Sequence, residues 1–169
     1  MRRIVVMGVA GAGKSTIGRM LAERRGSRFV DADAMHPASN IEKMAAGIPL
    51  TDADRRPWLH RLRDVLSESN DVVLACSALK RRYRDELRAA GDVEFLFLDV
   101  DESTATTRTA RRPDHFMQPG MVRSQFEALE RPAADESDVA TVVVGADETP
   151  SCVVDAVLAD DAGSEPSGR

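Results

Sequence analysis

The chain has 169 residues, of which 43% are hydrophobic and 30% charged, and its formal net charge is −5. This length and balance are typical of one folded domain that buries a core without disulfides or a structural metal, and they exclude a disordered or membrane protein. The acidic charge offers no electrostatic footprint for nucleic acid, so any local cluster of arginines should bind a small anion. The short apolar run after the N-terminal arginines ends at Gly8, which argues against a signal peptide.

Short apolar runs alternate with segments of helical periodicity along the chain. Strands are predicted at residues 3–7, 28–30, 72–75, 94–100 and 139–144. Helices are predicted at residues 15–25, 40–46, 52–67, 79–90, 103–111, 121–130 and 150–159. The alternation indicates an α/β protein with a doubly wound, five-stranded parallel sheet. We expect residues 1–159 to form a single domain and the polar residues 160–169 to be a disordered tail.

Residues 8–15, GVAGAGKS, match the phosphate-binding pattern G-x-x-x-x-G-K-[ST] between a predicted strand and a predicted helix. In such a loop, glycines let backbone N–H groups cradle phosphate oxygens at a helix N-terminus. Lys14 is expected to reach the β and γ phosphates of ATP, and the Ser15 hydroxyl to bind Mg²⁺. The predicted nucleotide contacts are Gly8, Gly11, Ala12, Gly13, Lys14, Ser15 and Thr16.

Two carboxylates follow the second predicted strand. Asp31 and Asp33 lie where ligands bind in open α/β sheets, and alternate strand residues share a face. We therefore expect Asp31 to face the metal and its water shell and Asp33 to face a substrate hydroxyl, on a strand that neighbours the phosphate loop. The alternative is a solvated loop with an aspartate helix cap. A phosphate loop alone does not distinguish a small-molecule kinase from a GTPase, an ATPase or a nucleotide kinase.

Further motifs appear in one order: DADAMHP at residues 31–37, NIEKM at 40–44, GIPLTDADRRPW at 47–58 and CSALK at 76–80. Later stretches carry Arg108 and Arg111, then HFM at residues 115–117 and SQFEALE at 124–130. Together they resemble the gluconokinase family, with its D-x-D-x-x-H-P, N-x-x-K-M, G-x-P-L-x-D-x-D-R-x-P-W and C-S-A-L-K motifs. The resemblance extends to about residue 159. It departs at Pro113-Asp114, where the family commonly has a glycine before the lid histidine.

The resemblance implies a P-loop NTPase fold of the nucleoside-monophosphate-kinase-like type, with helices flanking the five-stranded sheet and a lid over about residues 108–121. It implies a cytoplasmic homodimer that uses ATP and Mg²⁺ to phosphorylate the 6-hydroxyl of D-gluconate, with neither nucleic acid nor a membrane as a partner. The implied catalytic residues are Lys14, Asp33, Arg108 and Arg111, the two arginines stabilising charge on the phosphoryl group.

A sugar acid presents a carboxylate and several hydroxyls, so its pocket needs a cation and hydrogen-bonding side chains. Arg56 is assigned the substrate carboxylate, because a guanidinium binds a carboxylate bidentately. The implied acceptor-binding set is Asp33, His36, Lys43, Arg56, Trp58, Ser77, Lys80, His115 and Gln125.

Two alternatives remain at this point. One is a kinase of the same fold with another acceptor, such as shikimate or a nucleotide. Shikimate kinases share D-x-D but lack the H-P, P-W and S-A-L-K combination. The other is a regulatory nucleotide-binding protein with a degenerate acceptor site, although each proposed pocket residue here has a suitable side chain.

Overall fold

A computed structural model describes residues 2–111 and 119–163 of the chain. Its strands are β1 (Arg3–Met7), β2 (Arg28–Asp31), β3 (Val72–Ala75), β4 (Val93–Asp99) and β5 (Val139–Val143). Its α-helices are α1 (Lys14–Arg25), α2 (Ala38–Ala45), α3 (Asp52–Glu68), α4 (Arg81–Arg88), α5 (Glu102–Ala110), α6 (Pro119–Ala128) and α7 (Pro150–Gly163). A 3₁₀ turn covers Ala32–Met35.

The five strands form one parallel sheet in the order β2-β3-β1-β4-β5. Successive strand residues point to opposite faces, so each strand contributes to two cores. On β1, Ile4 and Val6 pack in a core that includes residues of α1 and α7, whereas Val5 and Met7 pack in a second core with residues of α3 and α4. Helices thus cover both faces, and the predicted parallel α/β fold is confirmed.

The sheet order corrects one expectation. β3 pairs with both β1 and β2, so β2 does not neighbour the strand that leads into the phosphate loop. β2 also ends at Asp31, because the Asp31 side chain accepts a hydrogen bond from the Asp33 backbone N–H at 3.1 Å and caps the 3₁₀ turn. The prediction that Asp31 and Asp33 share a strand face is therefore wrong.

The C-terminal helix is longer than predicted. α7 continues to Gly163, and Asp161 pairs with Arg2 at 2.6 Å and with Arg25 of α1. A disordered tail from residue 160 is therefore wrong for residues 160–163, which belong to a helix joined to the core. Residues 164–169 lie outside the described part of the chain, as do residues 112–118, which make up half of the predicted lid and include Pro113, Asp114 and His115.

Among the helices of the described residues, none combines the length and the apolar composition that crossing a bilayer requires.

Candidate active site

The phosphate loop joins β1 to α1. Gly8, Gly11 and Gly13 all have positive φ angles, of 144°, 82° and 97°, which residues with a side chain rarely adopt. Gly11 also touches α5: a Cβ there would lie 2.8 Å from Thr109 Oγ1 and closer still to the carbonyl oxygen of Ala105. The glycines thus allow both the turn of the loop and its close packing against α5.

Two further contacts hold the loop in place. The Lys14 ammonium donates to the Val9 carbonyl at 3.0 Å, across the turn of the loop. The side-chain oxygen of Gln125, on α6, accepts a hydrogen bond from the Ala10 backbone N–H at 2.8 Å. Gln125, predicted to contact a substrate hydroxyl, is therefore also a direct link between α6 and the phosphate loop.

A cavity of about 200 Å³ opens beside the loop. Its walls come from the phosphate loop, the 3₁₀ turn, the start of α3, the segment after β3, and α6. Predicted site residues that line it are Gly11, Gly13, Lys14, Ser15, Asp33, His36, Trp58, Ser77, Lys80 and Gln125. The other residues in its wall are Ala10, Met44, Pro49, Leu50, Arg55, Leu79, Tyr83, Ser124 and Ala128.

Of the described residues predicted to bind the acceptor or the metal, three do not line this cavity. Asp31 lies at the end of β2 and caps the 3₁₀ turn. Lys43 pairs with Asp54 at 2.7 Å, which helps to lower the pKa of that carboxyl to about 2. Arg56 is exposed, and its neighbour Arg55 lines the cavity instead.

The positions of the two arginines around α3 explain why Arg55 lines the cavity and Arg56 does not. Side chains three, four and seven residues apart share one face of a helix. Arg55 stands at these three spacings from Trp58, Leu59 and Leu62, which are buried. Arg56 is one position further along the helix, so its side chain points away from the centre of this buried face and is exposed. This periodicity was visible in the sequence and could have identified Arg55.

An aromatic stack supports the 3₁₀ turn that carries Asp33. The Trp58 indole N–H donates to the Ala32 carbonyl at 2.8 Å, and its ring stacks on His36 with centroids 4.2 Å apart and planes 11° from parallel. Burial lowers the pKa of His36, with the nearby Arg55 acting in the same direction and Asp33 opposing both. Trp58 thus serves as a support for the pocket in addition to lining it.

A second polar cluster centres on Tyr83, to which the sequence analysis gave no role. Its hydroxyl donates to Asp52, which also accepts from Lys80 at 3.2 Å. The cationic groups of Arg55, Lys80 and Arg82 lie 5.8, 5.7 and 5.7 Å from the centre of the Tyr83 ring. The hydrogen bond from Tyr83 is the main cause of a lowered pKa at Asp52, which keeps this carboxylate ionised among the cations. Of these three cations, Arg55 and Lys80 line the cavity, and we call them its cationic wall.

A second cavity, of about 430 Å³, lies on the other side of the loop. It shares Gly11 and Gly13 with the first, and the remaining predicted contacts Ala12, Thr16, Arg108 and Arg111 line it together with residues 146–150. Arg108 donates to the Gly145 and Ala146 carbonyls at 2.8 and 3.3 Å. Gly8 lies deeper, with its N–H bonded to the Ser77 carbonyl at 3.3 Å. The two cavities thus adjoin at Gly11 and Gly13 of the phosphate loop, an arrangement that would let a group pass between two bound ligands.

Comparisons with known proteins give the family. The profile of the shikimate kinase family matches residues 10–161. The thermosensitive gluconokinase of Escherichia coli K12 is 47% identical over 148 residues, covering 85% of this chain and 79% of that protein. The gluconokinase of Gluconobacter oxydans is 43% identical over 164 residues, covering 93% and 89%.

A solved structure agrees. The crystal structure of a gluconokinase from Sinorhizobium meliloti 1021 superposes with a TM-score of 0.82 at 40% identity, covering 97% of this chain and 98% of that one. The resemblance noted in the motifs therefore extends over the whole fold. The chain belongs to the shikimate kinase family as its profile defines it and, within that family, to the gluconokinases.

Proposed function

We propose that this protein is an ATP-dependent gluconokinase, which transfers the γ-phosphoryl group of ATP to the 6-hydroxyl of D-gluconate and releases ADP and 6-phospho-D-gluconate. The observation that carries the proposal is the cavity of about 200 Å³ that places Asp33 and the cationic wall beside Lys14 and Ser15. A carboxylate, a cationic wall and a phosphate loop around one cavity are the groups that phosphorylation of a hydroxylated acid needs. The 39–47% identity to curated gluconokinases supports gluconate as the acid.

In the proposed complex ATP occupies the second cavity, called the nucleotide cavity below, with its base near residues 146–150 and its phosphates on the loop. The Lys14 ammonium neutralises charge on the transferring group, and this requires it to leave the Val9 carbonyl. Arg108 and Arg111 line the same cavity and are suited to stabilise the same charge. For Arg108, this role means releasing the Gly145 and Ala146 carbonyls.

Gluconate, the acceptor, occupies the cavity of about 200 Å³, called the acceptor cavity below. There the Asp33 carboxylate orients the 6-hydroxyl and accepts its proton as the phosphoryl group is transferred. Arg55, with Lys80 nearby, binds the carboxylate of gluconate at the cationic wall. His36 is favoured in its neutral form by burial, so its ring can both donate to and accept from sugar hydroxyls. These assignments give the polar residues of the cavity distinct tasks along one extended substrate.

Mg²⁺, if bound, would neutralise negative charge on the phosphates of ATP. The residues fit this ion in part: the Ser15 hydroxyl lies in the first turn of α1 and lines the acceptor cavity, whereas Asp31 does not line it and would act through water. The family resemblance also leads us to propose a cytoplasmic homodimer, and sedimentation of the purified protein can test whether it is a dimer.

A coupled ADP-release assay with ATP and Mg²⁺ tests the proposal over a panel of gluconate, other sugar acids, shikimate and nucleoside monophosphates. We expect the highest kcat/KM with gluconate, and no transfer by Lys14→Ala. If the protein turns over shikimate or a nucleotide strongly and does not turn over gluconate, its acceptor is not gluconate. ADP release that no acceptor stimulates would show that the protein is no small-molecule kinase.

A further inference from the structure

A buried ion pair lies behind the acceptor cavity and contributes no atom to its lining. Arg84, on α4, donates from Nε and Nη2 to the two carboxylate oxygens of Glu136, both at 2.7 Å. Each side chain is only 1% exposed. Burying two charges is costly, and replacing such a pair by apolar residues is often neutral or stabilising. Stability alone therefore does not account for the pair, and its other contacts are informative.

The remaining guanidinium nitrogen of Arg84 binds the wall of the cavity. Nη1 donates to the Ala78 carbonyl at 3.3 Å, to the Leu79 carbonyl at 3.5 Å and to the Glu130 carbonyl at 3.1 Å. Ser77, Leu79 and Lys80 line the cavity, so Arg84 holds the backbone between residues whose side chains face the acceptor. Arg84 thus acts on the cavity through the hydrogen bonds that its guanidinium makes to these backbone carbonyls.

This part of the backbone needs such support. Ala78 has a φ of 42°, in the left-handed region that residues with a Cβ seldom adopt, and it is buried. A residue in such a conformation persists only where its surroundings hold it there. The Ala78 carbonyl, held by Arg84, belongs to the strained residue itself.

The same guanidinium also reaches the opposite wall. Glu130 follows α6, and its N–H donates to the Leu79 carbonyl at 2.8 Å while its carboxylate accepts from the Arg81 N–H at 2.7 Å. α6 carries Ser124 and Gln125, which line the cavity. Arg84 therefore ties the segment after β3 to the end of α6, and Glu136 holds the guanidinium in the orientation that reaches both.

We propose that Arg84, oriented by Glu136, is a positioning residue for the acceptor site, which holds Ala78 in its left-handed conformation and fixes two walls of the cavity. Its contribution is to the affinity and orientation of the acceptor and not to the binding of the nucleotide. The inference rests on the proposed function only in taking gluconate as the acceptor.

The test compares Arg84→Lys with Arg88→Lys. A lysine keeps a positive charge beside Glu136 but cannot span the carboxylate and the three carbonyls as the guanidinium fork does. Arg88 is a matched control, because it binds the same Glu136 at 2.8 Å, and its other hydrogen bonds go to the carboxylates of Asp138 and Asp85.

For Arg84→Lys we expect kcat/KM for gluconate to fall by about tenfold or more, since small displacements in a site can cost up to about a hundredfold, with the KM of ATP within about twofold of wild type. Arg88→Lys should lower the urea midpoint and leave the KM of gluconate within about twofold. Equal effects of the two variants on gluconate, or equal effects of Arg84→Lys on gluconate and ATP, would overturn the proposal.

A double variant separates positioning from stability. Ala78→Gly removes the conformational strain, because glycine adopts positive φ without penalty. Combined with Arg84→Lys it should restore part of the gluconate kcat/KM, and the double variant replaces Arg84→Lys in the comparison if the single variant does not fold. No recovery in a folded double variant would contradict the role assigned to Ala78. Absence of gluconate turnover in the wild type would instead contradict the proposed function, and the comparison would use the acceptor found in the panel.

Discussion

Two glycines with similar backbone angles offer a direct test of how the phosphate loop is held. Gly11 and Gly26 have φ angles of 82° and 68°, so alanine at either position pays a left-handed penalty of about 1–2 kcal/mol. A Cβ on Gly26 would meet no atom of the described residues within 4 Å, whereas one on Gly11 would press on Thr109 and the Ala105 carbonyl of α5. Such overpacking adds about 1–3 kcal/mol, so Gly11→Ala should lose about 2–5 kcal/mol of unfolding free energy and Gly26→Ala about 1–2.

The measurement is urea unfolding followed by tryptophan fluorescence, because Trp58 is the only tryptophan and is 2% exposed in the core. The same clash displaces the loop or α5, so Gly11→Ala should also raise the KM of ATP, while Gly26→Ala should leave it unchanged. If the two variants lose equal stability and bind ATP equally well, the packing of Gly11 against α5 does not constrain the loop, and the argument from its missing Cβ is wrong.

Three further predictions concern the acceptor cavity. Asp33→Asn should lower kcat by about 10²–10⁴ and leave the KM of ATP within a few-fold, because the amide cannot accept the proton; lost ATP binding with an unchanged kcat would instead give Asp33 the role assigned to Asp31. Arg55→Lys should raise the KM of gluconate by about tenfold or more and Arg56→Lys should not, in steady-state kinetics; the reverse result would restore the original assignment to Arg56. Burial lowers the pKa of His36 below 6.5 in the folded protein, so folding favours the neutral ring. The contribution of His36 to the free energy of unfolding is therefore fully present above about pH 6.5 and is lost as the pH falls through the folded pKa. Urea midpoints should therefore fall less steeply for His36→Gln than for wild type on acidification, and parallel curves would refute the assignment.

The features that were predicted correctly depend on local sequence. The phosphate loop is one contiguous segment, and each strand is an apolar run of ordinary length, so the strands and the start of α1 were found to within one residue. The error at Asp33 was also local. The Asp31 side chain competes for the backbone N–H that a continuing strand would use, and an aspartate can end a strand in this way.

The features that were missed depend on contacts between distant segments. Ala10 and Gln125 are 115 positions apart, and Arg84 and Glu136 are 52 apart. No periodicity in one segment specifies such a partner, because it follows from the sheet order and from where α4 and α6 pack. Sequence motifs indicated which residue types surround the acceptor, and the periodicity of α3 favours Arg55, whereas the fold determined that Tyr83 lies beside it in the same cavity.

The phosphate loop is held from two sides by two different kinds of contact. α5 fits against Gly11 by shape, because no Cβ separates the loop from Ala105, whereas α6 binds the loop through the hydrogen bond from Ala10 to Gln125. α5 also carries Arg108 at the nucleotide cavity, and Gln125 itself lines the acceptor cavity. Each cavity is therefore lined by a residue of a helix that also contacts the loop. Arg84 binds the carbonyl of Glu130 beyond the end of α6 and touches no atom of the loop through its hydrogen bonds, which is why its effect is expected on the acceptor and not on ATP.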